Sequence, residues 1–249
     1  MERKVVLVVM GLALLLGSAA QALIITTADG SGADTFVGND SKMSSTSTSG
    51  ASASAMECRY NGGGSRFRCM YLRFDVSAET GDFAGSTLMF DATYIKSSTG
   101  RQLDVYGLVD ESLDSWDEAS TSYQNAPGML EPASGWNAGD YLIDESKLVH
   151  LGFFNTPGTN GETVTYPITF SSNTTDLGTA FSDFLASDTN GLVTLVVINS
   201  TGTSSVNCED KIATKEHGTF IAPTLITPEP AGLALLGIGS LLSLRRRHR

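Results

Sequence analysis

The stretch STLMFDATYIK, Ser86–Lys96, decides the fold. Leu88, Phe90, Ala92 and Tyr94 alternate with Thr87, Met89, Asp91 and Thr93. A period of two belongs to a strand with one face on a core. The same character recurs in CMYLRFDV (Cys69–Val76), QLDVYGLV (Gln102–Val109), TVTYPITF (Thr163–Phe170), LVTLVVIN (Leu192–Asn199) and TFIAPTLI (Thr219–Ile226). Pro167 and Pro223 cannot donate to a ladder, which puts their strands at edges or bulges. One segment, Thr174–Ser187, reads as helix, with Asp176 as cap and Leu177, Phe181, Phe184 and Leu185 at helical spacing. Thr26–Ala55 has few large apolar residues, and SKMSSTSTSGASASA within it reads as a flexible loop. Many short strands, turn-rich connections and one helix give an all-β antiparallel sandwich, with the two-sheet jelly roll its expected form.

The two ends differ from the middle. MERKVVLVVMGLALLLGSAAQA (Met1–Ala22) carries basic residues, an apolar run and a small-residue close, which is a secretory signal peptide cut after Ala22. The closing TPEPAGLALLGIGSLLSLRRRHR (Thr227–Arg249) pairs a short apolar segment, 231–244, with a basic cluster, 245–249. The segment is short for a bilayer crossing, and its arginines would stay cytoplasmic. The expected organisation is therefore 1–22 signal peptide, 23–226 one β-sandwich domain and 227–249 C-terminal signal. The chain holds 16 Lys+Arg and 27 Asp+Glu. The leader takes away two bases and one acid and the tail four arginines, leaving 10 bases against 26 acids, a net of −16. That sign excludes a nucleic-acid partner, which would need phosphates neutralised. It suits solubility outside a cell, with divalent cations nearby. Three cysteines remain: Cys58, Cys69 and Cys208. A hairpin centred on Gly63 and Gly64 would set Cys58 opposite Cys69 as a disulfide; the alternative is three buried thiols.

From Tyr71 onward the residues resemble a known family. Ala33-Asp34-Thr35, Arg68 ahead of Tyr71-Leu72-Arg73-Phe74-Asp75, the STLMFDA strand, Val105-Tyr106-Gly107-Leu108, WDEASTSYQNAP (Trp116–Pro127) and Thr214-Lys215-Glu216 follow in order. This series resembles the DNRLRE-type domain, a secreted jelly-roll module classed among carbohydrate-binding modules. The tail, with Pro228-Glu229-Pro230, the apolar segment and Arg245, Arg246 and Arg247, resembles the PEP-CTERM sorting signal. That resemblance implies cleavage by signal peptidase, transient anchoring in the inner membrane of a Gram-negative bacterium, and processing by an exosortase, a membrane transpeptidase. The destination it implies is the cell surface or an exopolysaccharide matrix.

Candidate ligand residues follow from chemistry. Trp116, Tyr123 and Trp136 offer aromatic faces on which a pyranose can stack; the alternative for Trp116 is that it pins its long loop to the sandwich. Arg73 lies between Leu72 and Phe74, where a charge is costly unless partnered. Its partner is Asp75 or Glu216 as a structural pair, or the carboxylate of an acidic sugar. An acidic polysaccharide of the alginate kind would need a local cluster from Arg66, Arg68, Arg73 or Lys96, or bound Ca2+, against the net negative charge. Asp110, Glu111, Asp114, Asp117 and Glu118 read as a solvated face, with calcium second. No nucleophile elbow, zinc pair or metal-ligand spacing occurs, so no catalytic constellation can be assembled. Three function classes stand: a non-catalytic surface protein that binds polysaccharide, a structural surface or biofilm protein without sugar affinity, and, third, a polysaccharide-degrading enzyme component.

Overall fold

The computed structural model describes residues 22–39, 43–49, 53–61, 66–79, 83–95, 101–131, 142–156, 167–171, 180–199 and 208–228. Among them run β1 (Leu23–Thr26), β2 (Ala33–Gly38), β3 (Ala55–Asn61), β4 (Arg66–Asp75), β5 (Thr87–Ile95) and β6 (Gln102–Leu108). A 3-10 turn (Glu111–Leu113), β7 (Met129–Leu130), β8 (Leu142–Ile143), β9 (Leu148–Asn155) and β10 (Pro167–Ser171) follow. Helix α1 (Ala180–Ala186), β11 (Leu192–Asn199), β12 (Cys208–Ala213) and β13 (Thr224–Thr227) complete the order. Every pairing is antiparallel. One wall holds β1-β13-β5 with β10 on β5, and the other holds β4-β11-β6-β9 with β2 on β4. β12 and β3 join them, so one eleven-stranded sheet curls over its own core. This is the all-β sandwich that the alternating strands require.

The core explains the alternation and its one break. Leu88, Phe90 and Ala92 of β5 point inward, as period two dictates. Opposite β12 the register shifts between Lys211 and Ile212, so Asp210 pairs with Ile95 and Ile212 with Ala92. A bulge of this kind resets which residues face in. Ile95 is therefore buried where unbroken alternation would place Tyr94. β4 and β11 are buried on both faces. Met70, Leu72 and Phe74 meet Val193, Leu195 and Val197 in the main core. Phe67, Cys69, Tyr71, Val196 and Ile198 face the other way into a second core. That second core is closed by chain 109–131, which lies over the outer face of the wall.

Two expectations change. SKMSSTSTSGASASA (41–55) is not a free loop, because Thr48 bridges Ser122 and β3 begins at Ala55; ahead of it, β2 pairs with β4 from Ala33↔Arg73 to Gly38↔Arg68. Met43 and Ser45 are buried, and the Ser45 carbonyl accepts the Gln124 N–H at 2.8 Å. Small side chains suit this stretch, since hydroxyl pairs such as Thr35–Ser49 at 2.5 Å replace apolar contacts. The helix occupies Ala180–Ala186; the earlier part of its expected span, with Asp176, lies outside the described residues. The disulfide is the second. β3 and β4 do pair as the glycine-centred hairpin predicts, but the ladder stops at Arg59↔Arg68. Cys58 turns instead to Asp210 of β12 and into the main core, whereas Cys69 faces the second core.

Both thiols are free and fully buried, and the Cys58 thiol reaches the Val197 carbonyl at 3.7 Å. Burial pushes both well above the ordinary thiol range. Buried, protonated thiols do not alkylate. Iodoacetamide at pH 8 should leave Cys58 and Cys69 unmodified in the native protein and label both after denaturation without reductant. A Cys58–Cys69-linked peptide in the mass spectrum would contradict this.

Candidate functional site

The aromatic residues singled out in the sequence fill the second core. Trp116 is 8% exposed, donates its Nε1–H to Thr194 Oγ1 at 3.1 Å and meets Tyr71 edge-on at 5.9 Å. Tyr123 is fully buried, packs edge-on to Phe67 at 5.6 Å and accepts the Leu142 N–H at 3.2 Å. Neither ring presents an open stacking face to a sugar. They are buried because chain 109–131 must cover the apolar outer side of β4 and β11. Trp136 lies outside the described residues.

Arg73 finds its partners in carbonyls rather than in Asp75 or Glu216. Nε donates to Ser31 O at 2.7 Å, and Nη1 donates to Asp114 O at 2.7 Å and Trp116 O at 2.6 Å. The guanidinium also stands 5.0 Å from the Trp116 ring centroid. A planar fork that binds several acceptors at once suits this task better than an ammonium. The basic cluster expected for an acidic ligand does not assemble from the described side chains. Arg68 is paired with Glu57, as is Lys211 at 3.1 Å, and the side chains of Arg66 and Lys96 lie outside the description.

The acidic run 110–118 is not one solvated face. Glu111 accepts the Thr189 N–H at 3.0 Å and the Thr189 hydroxyl, while Asn190 Nδ2 donates to Glu111 O at 3.1 Å. These bonds stitch the 3-10 turn to the connection between α1 and β11. Asp114 is 1% exposed, with Asn190 Nδ2 at 3.4 Å from Oδ2 and Thr194 beside it; Oδ1 makes no well-formed hydrogen bond. Asp188 takes the Gly191 N–H at 2.8 Å. Gly191 has a φ of +80° there, and a side chain would strike Ser77.

Between these elements lies a cavity of about 250 Å³ lined by Val109, Glu111, Asp114, Phe184, Asp188 and Leu192, among others. A second hollow of about 310 Å³ lies across Asp188, against Ser77, Glu79 and Phe83. Phe184 sits flush on the sheet because residue 107 is glycine. A methyl group there would come within 2.6 Å of the ring. Burial pushes the Asp114 carboxyl up to about 6, and Asp188 and Glu111 add like-charge repulsion against the hydrogen bonds that oppose it. Burial likewise raises Asp188.

Glu118 goes elsewhere. Its Oε1 accepts the Asp34 N–H at 2.8 Å and its Oε2 pairs with Lys215 Nζ at 2.9 Å. Carboxylate oxygens of Asp34, Glu118 and Glu216 all lie within 4.8 Å of one another. Asp34 is 3% exposed, and its Oδ2 takes the Thr27 hydroxyl and, at 2.9 Å, the Lys215 N–H. Burial lifts its carboxyl to about 6 despite those bonds. An all-oxygen trio suits a hard cation such as Ca2+, although Lys215 already supplies one positive charge. The trio joins β2, the covering loop and the turn before β13, three of the places where the family-like motifs carry an acid.

Asp34 and Asp114 set a pH dependence. Their folded values of about 6 exceed the unfolded 3.8. The folded chain therefore binds more protons between those limits, and stability falls as pH rises through the window. Asp114→Asn removes one of the two contributions. Its melting temperature should match the parent at pH 4 and exceed it at pH 7, by the equivalent of roughly 1–2 kcal/mol after screening. A difference independent of pH would overturn the assignment.

No curated protein matches the chain. The model of carbohydrate-binding module family 96 matches residues 26–138, somewhat less than half of the sequence. That stretch runs from the end of β1 through β2 to β6 and the covering loop, and its similarity to the family supports a carbohydrate-binding domain in this protein.

Proposed function

We propose that this protein is an exported, non-catalytic polysaccharide-binding protein of a bacterial cell surface or exopolysaccharide matrix. The observation that carries the proposal is the match of residues 26–138 to a carbohydrate-binding module family. A β-sandwich supports such a role because its rigid walls hold loop-borne side chains in place. The leader Met1–Ala22 and the tail from Pro228-Glu229-Pro230 to Arg245–Arg247 support export by signal peptidase and exosortase from a Gram-negative inner membrane. Both ends fall outside the described residues but for Pro228 and the end of the leader, and among the described residues no helix is long and apolar enough to cross a membrane. An alginate-like polyanion would meet a chain of net −16 whose Arg68, Lys211 and Lys215 already face acids, so its binding would run through a cation such as Ca2+.

The burial of Trp116 and Tyr123 favours a second reading, a structural surface protein without sugar affinity. A glycan array probed with the purified mature protein, with and without calcium, separates the two. Selective retention on one polysaccharide class is expected; a blank array in both conditions would leave the structural reading. Replacing Pro228, Glu229 and Pro230 together by alanine should hold the protein in the inner-membrane fraction. Unchanged release to the cell surface would remove exosortase sorting from the account.

A further inference from the structure

We propose that the corner where β1 begins and β13 ends, with Leu23 and Ile24 at its tip, is a lipid-facing surface. It rests on the outward-facing leaflet of the inner membrane while the C-terminal tail is still attached. This rests on the export and sorting reading and adds which face of the domain meets the bilayer.

Strand pairing fixes this corner. Leu23 opposes Thr227 and Ile24 opposes Ile226, so the first strand of the domain starts where the last one finishes. Thr227 is buried, and its hydroxyl donates to Glu79 at 2.6 Å. In the sequence an apolar segment lies beyond each of these residues. The leader closes at Ala22, immediately before Leu23, and the apolar part of the tail opens at Ala231. Basic residues mark the far side of both, Arg3 and Lys4 in one and Arg245–Arg247 in the other. By the positive-inside rule both far sides stay cytoplasmic, so both near sides emerge at the same leaflet. One corner of the domain serves the two.

The tether is short. Only Pro228, Glu229 and Pro230 separate Thr227 from Ala231. Those four Cα steps span at most about 14 Å, whereas one headgroup layer is about 5–8 Å thick. The end of β13 therefore stands no more than about 9 Å clear of the headgroups. At that height the corner presents apolar side chains, with Ile24 62% and Leu23 37% exposed. Apolar surface held against a bilayer gains by leaving water.

A second copy of the chain is a poorer occupant. Thr26 donates its N–H to Asp29 Oδ2 at 2.7 Å, and its carbonyl accepts the Asp29 N–H at 3.1 Å. An edge of four residues capped in this way resists the addition of another strand.

The test is photo-crosslinking of the full chain in a Gram-negative host that lacks an exosortase, where the tail is retained. p-Benzoylphenylalanine replaces Ile24, Leu142 or Ile221 in turn. Ile221 is as exposed as Ile24, at 62%, but lies ahead of β13, with its N–H on Asp91 Oδ2 at 2.9 Å. Leu142 donates its N–H to Tyr123, which packs on Phe67 at the opposite end of β4 from Glu79. Membranes are irradiated, and mass spectrometry reads the adducts on chains whose leader has been removed. A phospholipid adduct should form at position 24 and be absent at 142 and 221. With the chain in the membrane fraction, three results overturn the proposed face and leave the anchoring in place: no lipid adduct at 24, equal adducts at all three positions, or capture of protein alone at 24. Absence of the chain from the inner-membrane fraction removes the sorting reading together with this one.

Discussion

Arg73 holds the second layer of this protein in place. One guanidinium donates to carbonyls of Ser31, Asp114 and Trp116, drawn from two chain segments, and lies over the Trp116 ring. Hydrogen bonds to a charged group contribute about 1.5–3 kcal/mol each, and a half-exposed cation over an indole about 1 more. The bonds of Asp34 N–H to Glu118 and of the Tyr71 hydroxyl to Pro127 O tie the same loop to β2 and to β4 one at a time. With the clamp closed, Trp116 reaches Thr194, Tyr123 packs on Phe67, and Asp114 is carried to the mouth of α1. The covering loop is thus both the lid of an apolar core and one wall of the acid-lined cavity.

The placement of acids follows from that geometry. In the run 110–118, backbone direction sends Asp114 and Glu111 towards the α1–β11 connection and Glu118 towards Asp34 and Lys215. Two buried carboxyls, Asp34 and Asp114, are held near pH 6 by desolvation first and by neighbouring acids after it. Groups kept in a less stable charge state are characteristic of sites built to meet something else, though structural networks do the same. Lys215 partly answers the charge at Asp34. At Asp114 the hydrogen bonds come from neutral Asn190 and Thr194, with the Arg73 guanidinium as a charge nearby.

Much of the fold was legible in the sequence because period two survives in β5, and because the boundaries of β11, which is buried on both faces, follow its apolar run. β2 was not, since its pairing rests on small and hydroxyl side chains that carry no hydrophobic signal. The bulge opposite Lys211 was invisible for the same reason: it is set by a partner strand far along the chain. Arg73 has the partners that a charge between Leu72 and Phe74 needs, but they are backbone carbonyls, which a sequence does not distinguish, whereas Asp75 and Glu216 stand out in it as acids. The sequence left Trp116 and Tyr123 open between a sugar platform and a pin for their loop, because nothing local shows that the outer side of β4 is apolar and must be covered. Asp114 drew no special notice, since its cavity is completed by residues some 76–79 positions away.

Hydrogen exchange on Arg73→Met, followed by mass spectrometry, tests the clamp most directly. The account predicts that peptides from 109–131 lose protection while β5, β11 and β13 keep theirs, because the main core does not depend on the guanidinium. Unchanged protection across 109–131 would contradict it, and would mean that the aromatic packing alone holds the layer down.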